Sequence, residues 1–142
     1  MTNFRKLSFE NRTFSTDGQC FLLEELAEQT SEDNLAYILD ALKEGLPSVR
    51  ACAARVLSHL PPENDVVSGL IMAMGDYDAR VRQTAVESLC LINPVPVSAI
   101  PALLEALDDE DSKVREVALL ALSGIQEAMT SGAERMVDQA VA

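Results

Sequence analysis

The dipeptide Val-Arg occurs three times at nearly equal spacing, and this internal repeat constrains the fold more than any other feature. The pairs begin at Val49, Val81 and Val114, so the steps between them are 32 and 33 residues. In each copy, small or apolar residues follow the valine at offsets of 4, 8 and 11. These offsets lie on one face of a helix with about 3.6 residues per turn. Each copy therefore predicts an amphipathic helix that begins near its Val-Arg pair.

A second amphipathic pattern precedes each Val-Arg pair. Apolar residues recur with the i, i+3, i+4 and i+7 spacing of a helix, starting at Leu35, Val67 and Ile100. A short polar turn separates the two helical patterns in each copy. Pro61 and Pro94 end the second helices of the first two copies, because proline cannot continue the helical hydrogen bonds. The sequence therefore predicts three consecutive helix pairs.

The predicted fold is an all-α solenoid (a superhelix) in which three helix pairs stack between N-terminal and C-terminal capping helices, since the ends of repeat arrays need atypical units. One repeat domain is expected over residues 18–142. The predicted repeats span about 34–61, 65–93 and 98–126, and the predicted caps span 20–28 and 131–141. Residues 1–17 contain phenylalanines without periodicity, so we expect an arm that either packs on the first repeat or is disordered.

An acidic residue lies six positions before each arginine of the Val-Arg pairs, and with the paired helices this pattern resembles HEAT repeats. More narrowly, it is similar to the short bacterial HEAT-like repeats of the phycobilisome-lyase type. The acids and arginines are Glu44 and Arg50, Asp76 and Arg82, and Asp109 and Arg115. The resemblance covers about residues 34–126 and implies three HEAT-like helix pairs with a structural ladder of ion pairs between adjacent repeats. From the spacing we expect Arg82 to pair with Asp76 and to reach a neighbouring repeat.

The charge balance excludes several classes of partner. The chain has 23 acidic residues and 11 basic ones, giving a formal net charge of −12. Such a surface repels phosphate backbones and anionic lipid, so we expect neither nucleic-acid nor membrane binding. No apolar run is long enough to span a bilayer and no apolar segment follows the first residues, which favours a cytoplasmic protein.

Residues that could carry catalysis or bind a metal are sparse. The three cysteines have no close spacing, which argues against a disulfide framework or a zinc site. His59 is the single histidine, and no second ligand or orienting carboxylate lies at a defined spacing from it. Cys90 falls on the predicted exposed face of its helix and is expected to be the thiol that reacts first. We therefore predict no catalytic residues, no metal and no cofactor.

The predicted function is that of a non-enzymatic scaffold or adaptor that binds another protein on the concave face, which the second helices line in HEAT-like stacks. Arg55, Glu87, Leu91 and Leu120 are the predicted partner-binding residues, because they combine apolar and charged side chains on the face opposite the buried columns. A competing interpretation is that Leu91 and Leu120 pack beneath the terminal helix. The alternative functions are an accessory subunit of an enzyme, such as a chromophore lyase, and a small-molecule-binding protein. Homo-oligomerisation stays open.

Overall fold

A computed structural model describes residues 15–29 and 31–141, and seven α-helices account for most of this part of the chain. The helices are α1 (Thr16–Glu28), α2 (Glu32–Glu44), α3 (Pro47–Leu57), α4 (Asn64–Ala73), α5 (Ala79–Leu91), α6 (Ile100–Ala106) and α7 (Ser112–Val141). A turn of 3₁₀ helix at Val97–Ala99 precedes α6. The described residues contain no strand, so the all-α prediction is confirmed. Most of the predicted N-terminal arm, residues 1–14, lies outside the described residues.

The helices form three pairs that stack on one another. In each repeat the first helix packs against the second helix: α2 against α3, α4 against α5, and α6 against α7. The second helices α3, α5 and α7 pack side by side, and α1 extends this row by packing against α3. The predicted α-solenoid with an N-terminal capping helix is therefore confirmed.

The repeated valines form the centre of the core. Val49, Val81 and Val114 are all completely buried, as the offset pattern predicts. The alanines one turn later are also buried, and their small side chains allow neighbouring helices to approach closely. Close approach also occurs between α2 and α4, where a Cβ added to Gly69 would lie 2.8 Å from Leu39 Cδ2. The same columns that mark the repeat in the sequence therefore build one continuous core.

The two ends of the chain differ from the prediction in their boundaries. Helix α1 begins at Thr16, four residues before the predicted cap, because the Ser15 hydroxyl accepts a hydrogen bond from the Gly18 N–H and caps the helix. At the other end, the separate capping helix predicted at residues 131–141 does not form. Helix α7 continues through this segment without a break, since no proline follows its first half as Pro61 and Pro94 follow the earlier repeats.

Candidate functional site

A groove of about 380 Å³ crosses the row of second helices, with walls from α1, α3 and α5. Three of the four predicted partner-binding residues, Arg55, Glu87 and Leu91, line this groove. The complete lining is Cys20, Ser48, Ala51, Cys52, Arg55, Thr84, Glu87, Ser88 and Leu91. The structure therefore brings together residues that lie more than 30 positions apart in the sequence.

The repeat itself explains why these residues meet. Arg55 and Glu87 both lie six positions after the buried valine of their repeats, and α3 and α5 pack side by side. Equivalent positions on adjacent helices of a repeat stack are neighbours. Leu91 lies one turn after Glu87 on the same face of α5.

Arg55 is held at the groove by contacts to two helices. Its Nη2 atom lies 2.6 Å from Glu24 Oε1 on α1 and 3.7 Å from Cys52 Sγ on α3. The hydrogen bond with Cys52, which is the larger cause, and the hydrogen bond with Glu24 raise the pKa of Arg55 above its usual value. Both side chains of the Arg55–Glu24 pair are about half exposed, so the pair contributes little to stability and its charges stay accessible.

Leu91 and Leu120 are both exposed to solvent. Their exposed fractions are 66% and 64%, so neither packs beneath another helix and the competing interpretation is wrong. Leu120 occupies the position on α7 that corresponds to Arg55 and Glu87. It lies outside the lining of the groove, and the structure does not bring it into the cluster of the other three residues.

Sequence reasoning missed the contribution of α1 to the groove. Glu24 and Cys20 come from this helix, 31 and 32 residues before their respective neighbours Arg55 and Cys52. Burial, followed by a hydrogen bond with Cys52, raises the pKa of the Cys20 thiol to about 12. No local pattern in the sequence indicates these contacts, because α1 does not belong to the repeat and its position depends on packing against α3.

The ladder residues lie at the turns, away from the groove lining, and form two bidentate ion pairs between repeats. Arg50 donates through Nε and Nη2 to the Asp76 carboxylate, with both distances 2.7 Å. Arg82 donates in the same way to the Asp109 carboxylate, at 2.8 Å for both contacts. The side chains of Arg82 and Asp109 are only 9% and 12% exposed, so this rung is largely removed from solvent.

The predicted pairing of Arg82 with the Asp76 carboxylate is therefore corrected, whereas its predicted contact with a neighbouring repeat is present in the ion pair with Asp109. Arg82 contacts Asp76 through the main-chain carbonyl oxygen, at 2.9 Å, whereas the Asp76 carboxylate binds the arginine of the preceding repeat. Each ladder arginine binds a carbonyl of its own turn, and the first two also bind the carboxylate of the next repeat. Glu44 and Arg115, in the first and last of the three turns, form no ion pair with any described residue, since no further helix pair adjoins them within residues 15–29 and 31–141.

Burial and hydrogen bonding have opposite effects on the pKa values of the ladder carboxylates. Partial burial alone would raise the pKa values of Asp76 and Asp109. Hydrogen bonds from the paired arginine and from the main-chain N–H two residues later outweigh this effect, so both pKa values are lower than usual. The ladder thus consists of ionised side chains that have hydrogen-bond partners, and it links adjacent repeats.

Within residues 15–29 and 31–141, no cluster of three or more metal-ligating side chains occurs. In the same part of the chain, no helix combines the length and apolar character needed to cross a membrane. A family model described as HEAT repeats matches residues 12–90 and, in a second overlapping match, residues 67–139. A comparison with curated proteins found no match.

Proposed function

Because the chain belongs to the HEAT-repeat family, we propose that it is a non-enzymatic scaffold or adaptor that binds another protein through the groove between α1, α3 and α5. HEAT repeats are typically protein-interaction scaffolds, and the fold is usually non-enzymatic. The observation that carries the proposal is the exposed Leu91 beside the accessible charges of Arg55 and Glu87 in one groove.

This combination has the composition of a small interface centre. An exposed apolar side chain gains free energy when a partner removes it from water. Arg55 and Glu87 offer charges of opposite sign at the edge of the same groove, which can fix the orientation of a partner. Arginine is also enriched among the residues that dominate binding energies.

The dimensions and charge of the groove support a particular kind of partner. A volume of about 380 Å³ accommodates a few side chains rather than a folded domain, so the partner would insert part of a helix or loop. The net charge of −12 favours a partner with a positively charged surface, because opposite charges increase the rate of association.

The experiment compares the proteins that co-purify from a native lysate with the wild type and with two variants, by quantitative mass spectrometry. The first variant, Glu87→Lys with Leu91→Asp, changes the groove. The second, Leu104→Asp, changes a similarly exposed leucine on α6, outside the lining of the groove. We expect the affinity of the first variant for a partner to fall at least about thirtyfold, the effect of losing one interface hot spot, and the second variant to retain the partner.

Three results would contradict the proposal. Equal recovery of the partner with the groove variant would place the interface elsewhere, and selective loss with Leu104→Asp would place it on the first helices. A small molecule retained in native mass spectra of the purified protein would favour the small-molecule-binding alternative. A further variant, Leu120→Asp, tests whether the interface extends from the groove onto α7.

A further inference from the structure

Two of the three cysteines lie together on the floor of the groove. Cys20 on α1 faces the turn of α3 that carries Ser48 and Cys52, and its Sγ atom lies 4.0 Å from the Ser48 carbonyl oxygen. Cys52 lies one turn after Ser48 on α3, and both cysteines line the same groove between α1 and α3. A disulfide requires Cβ atoms about 3.5–4.5 Å apart, a separation that side chains facing one groove from two packed helices can reach.

A positive charge adjoins one of these two sulfur atoms. Arg55 Nη2 lies 3.7 Å from Cys52 Sγ, one turn away on α3. The guanidinium stabilises the negative charge that a sulfur carries as it attacks an electrophile. Cys52 itself is only 5% exposed, and because it lines the groove, the groove is the side from which a small solute would approach it.

We propose that Cys20 and Cys52 are a peroxide-sensitive dithiol, which hydrogen peroxide converts into an intramolecular disulfide that joins α1 to α3. Cys52 is the attacking residue and Cys20 is the resolving residue. This assignment gives a redox modification site to the floor of the groove, independently of what the groove binds.

The reaction balances in two steps. The Cys52 thiolate attacks one oxygen of hydrogen peroxide, so that an S–O bond forms, the O–O bond breaks, and hydroxide leaves and takes up a proton to become water. The Cys20 sulfur then gives up its proton and attacks the Cys52 sulfenic acid, so that the S–S bond forms and the second oxygen leaves as water. Two thiols and one peroxide thus yield one disulfide and two water molecules, and the thiols supply both electrons.

The surroundings of the two thiols are consistent with this order. The Cys20 pKa of about 12 keeps this thiol protonated, so it is not the first to react. Burial is the largest cause of that high value.

Cys90 provides an internal comparison. It is the cysteine that the sequence indicates as the most reactive, but it is half buried, and burial raises its pKa. It lies on α5 and is absent from the groove lining, where the other two cysteines lie. We therefore expect Cys90 to remain reduced at peroxide concentrations that oxidise the pair.

The test is peroxide treatment of the folded protein, followed by unfolding, alkylation with N-ethylmaleimide and intact mass spectrometry. We expect the product to lose two hydrogen atoms and to take up one maleimide instead of the three expected from its three cysteines. Peptide mapping should find Cys20 linked to Cys52, and dithiothreitol should restore three alkylation sites. The Cys90→Ser variant is the matched control and should form the same disulfide.

Single variants separate the roles of the two cysteines. In Cys20→Ser, dimedone should trap a sulfenic acid on Cys52, whereas in Cys52→Ser it should trap none on Cys20. Arg55→Gln should slow disulfide formation about threefold, the typical effect of one partly exposed charge. Circular dichroism establishes that each variant is folded.

The proposal is overturned if treated wild type still takes up three maleimides, or if the linked peptides contain Cys90. It is also overturned if dimedone labels Cys20 rather than Cys52, or if Arg55→Gln reacts as fast as the wild type.

Discussion

The two halves of α7 have the same amphipathic pattern but opposite environments. In residues 112–125, Val114, Ala118 and Ala121 are buried against the rest of the stack. The same helix face continues through Met129 and Met136, yet every described residue from position 126 onward is exposed. The second half of α7 thus extends beyond the packed repeats by about 24 Å. An apolar stripe identifies a helix face, but only a neighbouring element makes that face part of a core.

The comparison also separates the sources of stability. The packed half of α7 gains free energy from the burial of its apolar side chains. The turn that precedes it supplies Asp109, which binds Arg82 of the preceding repeat. The exposed half has only its own helical hydrogen bonds, which make a marginal contribution in water. The same substitution should therefore lower the free energy of unfolding much more before residue 126 than after it.

The largest difference is expected between Ala118→Asp and Ala133→Asp. Ala118 is fully buried, so an aspartate there would place an unpaired charge in the core and lower the free energy of unfolding by about 4 kcal/mol. Ala133 is exposed on the second half of α7, and the same change there should cost less than about 0.5 kcal/mol. Urea denaturation followed by circular dichroism measures both values. Similar losses in the two variants would mean that the second half of α7 is packed in solution.

The next largest effect concerns the ladder. Arg82→Ala leaves the largely buried Asp109 carboxylate without its bidentate partner, and it should lower the free energy of unfolding by about 3 kcal/mol. Arg115→Ala is the matched control, because Arg115 occupies the same repeat position but binds only carbonyl oxygens of its own turn. It should cost about 1 kcal/mol or less. If both variants lose the same free energy of unfolding, the ion pair between Arg82 and Asp109 contributes nothing beyond the hydrogen bonds that each arginine donates to carbonyl oxygens of its own turn.

The smallest expected effect is a dependence on acid pH. The pKa values of Asp76 and Asp109 are lower in the folded protein than their ordinary value near 3.8. Protons therefore bind the unfolded chain more readily, and the stabilisation present above this value is lost as the pH falls through the lowered pKa values. The urea midpoint should decrease below about pH 4. In the Asp109→Asn variant, which lacks one of the two carboxylates, this decrease should be shallower; an identical slope would exclude a contribution from Asp109.

Local patterns in the sequence determined the helix pairs, the buried valine column and the ends of the second helices, which come at Leu57 and Leu91, shortly before Pro61 and Pro94. They could do so because helical periodicity, proline and polar turns act within a few residues of each other. The same repeat also predicted that Arg55 and Glu87 occupy equivalent positions on one face, and the structure places both in the groove.

The partners of the charged residues were decided only by the tertiary structure. The spacing of six residues joins Arg82 to Asp76 in the sequence, but its carboxylate partner is Asp109, 27 residues later, because stacking brings the next turn within reach of the guanidinium. Packing of α1 against α3 likewise selected Glu24 for Arg55 and placed Cys20 and Cys52 in the same groove. Helix periodicity tells which side chains share a face, whereas the contacts across that face depend on how closely and at which register the helices pack.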